Sequence, residues 1–231
     1  IEQERGITLA PEQKSAVKLC LSSSAAVVTG GPGTGKTTII TTVLALLEDL
    51  KLSAVLAAPT GRAAKRISEV TGEEAKTLHR LLGMKPDSGA EGKFTYNESN
   101  PLDADVVIAD EASMIDILLA NALLRAIKPG GKLILCGDAD QLPSVGPGNV
   151  LRDIISSGAV ATAKLSHIFR QAKESLIVVN AHKINSGEMP ELGEKRKDFF
   201  FLERHGADAI AQTVTELYHT RLPKSYDIDP I

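Results

Sequence analysis

The chain has 231 residues, with 26 Lys and Arg against 29 Asp and Glu and a formal net charge of −3. That length predicts one large domain, or one domain with a small appendage, and 43% hydrophobic with 24% charged residues excludes wholesale disorder. The balance of charge excludes a uniformly basic nucleic-acid coat but permits a local basic groove, and no uncharged apolar run is long enough to span a membrane. The charged start, Ile1-Glu2-Gln3-Glu4-Arg5, carries no signal-peptide pattern, and the absence of an initiating Met leads us to expect a piece of a longer chain. Cys20 and Cys136 make no disulfide framework, so a reduced, cytoplasmic compartment is expected.

In chain order, residues 25–29 (Ala-Ala-Val-Val-Thr) read as a buried strand bounded by glycines. Residues 36–50 read as a helix, with Ile39, Ile40, Val43, Leu44, Leu46 and Leu47 at helical spacing. Residues 53–58 are a second strand and 61–70 a second helix. Residues 84–101 are polar and interrupt the pattern, which suits a loop or a small inserted β-hairpin. Strands at 105–109 and 132–136 flank a helix at about 115–127, which Pro129-Gly130-Gly131 terminates. Further on come a charged loop at 186–198, a strand at 199–202 expected to be buried, a helix at 207–219 and a Pro-containing exit from Arg221. Alternating strands and helices predict an α/β fold: a parallel sheet with helices on both faces and right-handed crossovers.

Gly30-Gly31-Pro32-Gly33-Thr34-Gly35-Lys36-Thr37, followed by Thr38, fits the P-loop pattern, between a strand and a helix as the pattern requires. Glycines let the backbone curl so that its N–H groups form an anion nest, and the next helix adds the positive end of its dipole. Lys36 would reach β- and γ-phosphates, and the Thr37 hydroxyl would bind Mg²⁺. Val106-Val-Ile-Ala-Asp110-Glu111 ends an apolar strand in two acids: Asp110 to hold the metal, Glu111 to deprotonate an attacking water. Gln141, in the loop after the next strand, is placed to bond the γ-phosphate or that water. No Asn-Lys-x-Asp guanine-reading motif is present, which argues against a GTPase.

Beyond these motifs, Asp110-Glu-Ala-Ser-Met114 with Gly137-Asp-Ala-Asp-Gln-Leu-Pro-Ser-Val-Gly-Pro-Gly148 resembles motifs II and III of superfamily 1 helicases. His167-Ile-Phe-Arg170-Gln171 resembles motif IV, whose arginine reaches the γ-phosphate. Leu9-Ala-Pro-Glu-Gln13 is similar to the motif in which Gln13 would read adenine, and Ala58-Pro-Thr-Gly-Arg-Ala-Ala64 to motif Ia, which touches single-stranded DNA. Thr77-Leu-His-Arg-Leu-Leu-Gly83 and Asn180-Ala-His-Lys-Ile-Asn-Ser-Gly187 narrow the likeness to RecD-like DNA helicases.

That resemblance implies a P-loop NTPase of the RecA-like type: residues 1–83 and 102–231 would form the first of two motor domains, with an 84–101 hairpin inserted as a duplex-splitting pin and the second domain absent. It implies ATP and Mg²⁺ as cofactors, catalysis by Lys36, Glu111, Gln141 and Arg170, and 5′-to-3′ translocation on single-stranded DNA, unwinding duplex at single/double-strand junctions in repair or recombination. The family's motif VI arginine, supplied across the cleft, has no counterpart here, so hydrolysis by this chain alone is expected to be weak. Residues 60–85 carry six Lys and Arg against three Glu, a local charge of +3 that suits phosphate contacts, and Thr60, Arg62, Thr77 and His79 are the candidate DNA contacts. Phe94 and Tyr96 could face a base or hold the hairpin to its support. The competing function is a P-loop switch or nucleotide-binding module that does not act on DNA.

Overall fold

The apolar run Ala25–Gly30 forms strand β1, the P-loop strand, next to one edge of a six-stranded sheet. The computed structural model describes residue 2 and residues 6–84, 94–167, 169, 174–193 and 198–227. The other strands are β2 (Ala54–Ala58), β3 (Ala75–Thr77), β4 (Val106–Ala109), β5 (Lys132–Gly137) and β6 (Ala161–Leu165). Their order is β3-β2-β4-β5-β1-β6, and every pairing is parallel. The helices are α1 (Pro11–Ser22), α2 (Lys36–Asp49), α3 (Gly61–Thr71), α4 (Leu78–Leu81), α5 (Ile117–Ala126), α6 (Val150–Ser157), α7 (Leu176–Asn185), α8 (Ala207–Glu216) and α9 (Leu222–Tyr226).

Strand alternation divides the core in two. On β4, Val106 and Ile108 face the layer of α1, α2 and α3, where Val17, Ile39, Val43 and Ile67 pack; Val107 and Ala109 face Leu81, Leu119, Leu123 and Leu151 of α4, α5 and α6. On β5, Ile134 and Cys136 join the first layer, Leu133 and Leu135 the second. A strand covered on both faces has no solvent side, which is why these segments read as continuous apolar runs rather than alternating ones. Thr60, Asp116 and Ser175 cap α3, α5 and α7 by accepting the N–H groups of Ala63, Leu119 and Val178. Such caps are each worth about 0.5–2 kcal/mol. Among the described residues no helix is long and apolar enough to cross a membrane.

Topology builds the site. Both β1 and β4 pair with β5, so the loops leaving their C-terminal ends lie side by side with the loop after β5. Open parallel sheets bind ligands at that edge.

Two expectations are corrected. Residues 199–202 are neither strand nor buried: Phe200, Phe201 and Leu202 are 61%, 51% and 42% exposed. Strand composition does not suffice where no neighbour accepts the ladder hydrogen bonds, and none of the six strands pairs with this segment. The exit from Arg221 is also helical, as a π-turn (Leu217–Arg221) followed by α9, in whose first turn Pro223 loses no needed N–H. Of the 84–101 insert, residues 85–93 lie outside the described residues; Met84 and Phe94 form an antiparallel bridge, as do Asn97 and Asn100.

Candidate active site

The loop between β1 and α2 turns through two left-handed glycines, Gly33 at φ 76° and Gly35 at φ 82°. A side chain at Gly35 would also collide with the Gln13 amide, and one at Gly31 would sit 2.6 Å from His182 Cε1. The Thr34 hydroxyl donates to the Gly31 carbonyl at 2.8 Å and pins the curl. Gly35 is the N-cap of α2, so the free N–H groups of the first helical turn open toward the loop. The Lys36 ammonium bonds the carbonyls of Gly30 and Gly31, the latter at 3.1 Å. It is thereby held over the nest, where a phosphate oxygen can replace the carbonyls.

From the neighbouring strand, Asp110 is fixed by its N–H donating to Ala57 O at 2.9 Å. Burial pushes its carboxyl above the usual carboxylate range, and the Glu111 charge adds to this, while Lys36 and Arg66 oppose it. Glu111 has φ 52° and ψ 40°, a left-handed conformation uncommon for a non-glycine residue and found at functional sites. The buried Ser113 hydroxyl has no hydrogen-bond partner among the described residues.

These groups share one cavity of about 340 Å³, walled by Gly31, Pro32, Gly33, Thr34, Gly35, Lys36 and Thr37, by Asp110 and Glu111, by Gln141, and by Ala63, Arg66, Ile67 and Val70 of α3. Basic groups, N–H groups and carboxylates line this one cavity, a combination suited to a polyphosphate and an activated water. The donor set also fits Mg²⁺: Thr37 hydroxyl and a single carboxylate, Asp110, are hard oxygen ligands, and Mg²⁺ takes few protein ligands when phosphates supply the rest. A cation there would relieve the buried negative charge of Asp110.

Other expected residues fall elsewhere. Thr38 lies on the adjacent hollow with Ile7, Thr41 and Val70. Gln13 is buried, with Oε1 accepting the Ala10 N–H at 3.0 Å and Nε2 3.5 Å from Gly35 O, so it braces the loop to α1. Arg170 and Gln171 lie outside the described residues. Thr77 ends β3 and Thr60 follows the end of the neighbouring β2 by two residues, Ala58 being in register with Thr77, and their hydroxyls cap α3 and α4. Arg62 and His79 are exposed along the same rim, His79 with its ring 6.2 Å from that of Phe94.

Sequence reasoning gave His182 no part in the nucleotide site and counted Arg66 only among the basic residues 60–85. His182 Nε2 lies 3.2 Å from Pro32 O, and Asn185 donates to Asp140 at 2.9 Å, so α7 is tied to both the P-loop and the loop carrying Gln141. For α7 the signal was present: His182 and Asn185 belong to the 180–187 motif quoted above, whose roles only the fold reveals. Beside them opens a larger cavity of about 660 Å³, lined by Asp138, Gln141, Arg152, Lys164 and His182 among others.

The AAA domain family model matches residues 13–147, which span every loop of the site up to Gln141. The ATP-dependent RecD2 DNA helicase of Deinococcus radiodurans is 41% identical over 210 residues, covering 90% of this chain and 28% of that protein. The RecBCD enzyme subunit RecD of Mycolicibacterium smegmatis is 41% identical over 187 residues, covering 70% of this chain and 33% of that one. The chain thus spans about a third or less of these relatives' length. Among solved structures, the Pif1 helicase of Candida albicans shares the fold with a TM-score of 0.57 at 24% identity, over 80% of this chain and 46% of that one. Bacteroides Pif1 bound to ssDNA does so at 0.54 and 22%, over 93% of this chain and 57% of that one. The chain belongs to the AAA-domain family and is similar over most of its length to RecD-type helicases.

Proposed function

We propose that the chain binds ATP with Mg²⁺ in the 340 Å³ cavity and that hydrolysis there drives 5′-to-3′ movement along single-stranded DNA, with this chain as the first of two RecA-like halves. The observation that carries the reading is the convergence of Lys36, Thr37, Asp110, Glu111 and Gln141 from three separate loops onto one cavity. The relatives' names, a DNA helicase and a RecBCD subunit, support the substrate and the prospect of protein partners. The fold shared with a Pif1 bound to single-stranded DNA supports the nucleic acid. The direction of movement follows the family alone.

In mechanism, the loop N–H groups and Lys36 hold the β- and γ-phosphates. Thr37 and Asp110 would hold Mg²⁺, which would supply neutralisation of the phosphate charge. Glu111 accepts a proton from water as the water oxygen bonds the γ-phosphorus; the bridging bond breaks and its electron pair leaves on ADP. Gln141 orients the water and senses the terminal phosphate, and Arg170 is assigned a second cationic contact. Loss of that phosphate frees Gln141, and α7, tied to the same loop through Asn185 and to the P-loop through His182, is positioned to respond. Thr60, Arg62, Thr77 and His79 form the DNA rim at the same sheet edge, so the grip on a strand changes with nucleotide state. The 84–101 insert is assigned the pin at the single/double-strand junction.

The test is Glu111→Gln in a chain carrying both halves, with phosphate release measured on oligo-dT and on duplex. Binding of a fluorescent ATP analogue should stay within about twofold, while turnover falls by about 10²–10⁴. Wild-type turnover in the variant would remove Glu111 as the base. Turnover indifferent to single-stranded DNA in the unmodified protein would instead favour a P-loop module that does not act on DNA.

A further inference from the structure

Helix α3 points two kinds of charge in two directions. Ala63, Arg66, Ile67 and Val70, spaced three and four apart, lie along the side that walls the nucleotide cavity. Lys65 does not line that cavity and pairs with Glu69 at 3.8 Å. Arg66 has no hydrogen bond or ion pair among the described residues. Its side chain is exposed and its helix is fixed at the start by the Thr60 cap and at the end by Gly72 in left-handed conformation. The cavity it lines is also lined by Asp110, Glu111 and the loop that would hold the inner phosphates, and its charge is felt at Asp110. A guanidinium without a carboxylate partner, mounted on a fixed helix and facing a polyphosphate cavity, is suited to bidentate contact with phosphate oxygens.

We infer that Arg66 is a catalytic residue supplied by this chain itself, contacting the terminal phosphate of ATP and stabilising the charge that moves onto it in hydrolysis. The inference rests on the ATP reading of the cavity, and it reassigns Arg66 from the run of basic residues expected to face DNA. Because the P-loop and Lys36 hold the β-phosphate that ATP and ADP share, while Arg66 meets only the terminal phosphate, Arg66 distinguishes ATP from ADP rather than strengthening both.

The experiment measures binding of fluorescent (mant) AMP-PNP and mant-ADP, with Mg²⁺ and without DNA, to the 231-residue chain. Arg66→Ala should weaken AMP-PNP about ten- to a hundredfold, the range for a lost charge-assisted pair, and leave ADP within about twofold. Arg66→Lys should recover only part of the loss, because an ammonium cannot make the forked contact. Lys65→Ala should change neither. Equal weakening of both nucleotides, or an unchanged ratio between them, overturns the inference. Lys36→Ala separates the premises: it must weaken both nucleotides, and if it weakens neither, the ATP reading of the cavity has failed. Arg66→Gln reads the same ratio should the alanine variant not fold.

Discussion

Two glycine-to-alanine changes, at Gly35 and Gly61, should act in opposite directions, because the backbone at the two sites differs. Gly35 stands at φ 82° and its added methyl would strike the Gln13 amide, which is buried. Holding alanine in the left-handed region costs about 1–2 kcal/mol. Forcing a methyl into packed surroundings costs roughly 1–3 more. For a chain of this size each kcal/mol lowers Tm by about 2–4 °C, so Gly35→Ala should melt roughly 5–15 °C below the parent. The relaxation would turn the loop N–H groups out of the nest, and mant-ADP affinity should fall about tenfold or more. Gly61 has an ordinary φ, opens α3 and meets nothing within 4 Å. Alanine there restricts the unfolded chain and should stabilise by about 0.4–1 kcal/mol. The assay is a thermal melt by circular dichroism, with nucleotide titrations of both variants. A Gly35→Ala protein that melts with the parent and binds ADP as tightly would refute the assignment of the loop as a strained phosphate nest.

Other outcomes follow from particular contacts. Ser113→Ala removes a buried hydroxyl without a partner and should raise stability by about 1 kcal/mol; a lower Tm would reveal a partner for that oxygen. Asp110→Asn should raise the melting temperature without nucleotide, since burial disfavours the charged carboxylate, and should abolish the extra stabilisation that Mg²⁺ gives nucleotide; a retained Mg²⁺ effect would place the ion elsewhere. Asp105 accepts both the N–H and hydroxyl of Ser53 at 2.8 Å and pairs with Lys128, which together hold its carboxyl down at about 2. A depressed carboxylate stabilises above its unfolded pKa and loses that contribution as pH falls toward the folded one. Acid titration of the parent should therefore show destabilisation between about pH 4 and pH 2 that Asp105→Asn lacks; parallel curves would count against it. Leu123, 1% exposed on the underside of α5, should cost about 2–5 kcal/mol when cut to alanine, and a loss below 1 would contradict its place in the core.

The parts of the fold legible in the sequence are those with strong local signals. The P-loop announces itself by glycines that only a positive φ explains, and β4 and β5 by apolar runs that both layers of helices require. Elements missed at that stage have weak local patterns. Strand β3 has three residues and β6, Ala-Thr-Ala-Lys-Leu, is a half-exposed edge with small and polar side chains. Phe199-Phe200-Phe201-Leu202 misleads in the other direction, since apolar content is local and a strand partner is not. In the site, Lys36 and Thr37 were named from the P-loop pattern, Asp110 and Glu111 as acids ending an apolar strand, and Gln141 from its loop after the next strand with the motif resemblance. Arg66 and His182 were not placed in it, because only the third dimension sets α3 and α7 against the loop. Gln13, expected to face a nucleotide, accepts the Ala10 N–H and lies beside Gly35, a contact to the P-loop that the motif alone did not reveal.

The most direct measurement of the central claim is fluorescence anisotropy of a labelled oligo-dT titrated with the chain at low salt, where phosphate contacts are strongest, with and without Mg²⁺–AMP-PNP and against a matched duplex. Coupled sites obey reciprocity, so a nucleotide that alters DNA affinity must itself bind differently in the presence of DNA. The account predicts tighter binding to the single strand than to the duplex, shifted by nucleotide, with the shift lost in Lys36→Ala. Nucleotide binding with no preference for single strands and no shift would contradict a DNA-coupled motor and leave a nucleotide-binding module.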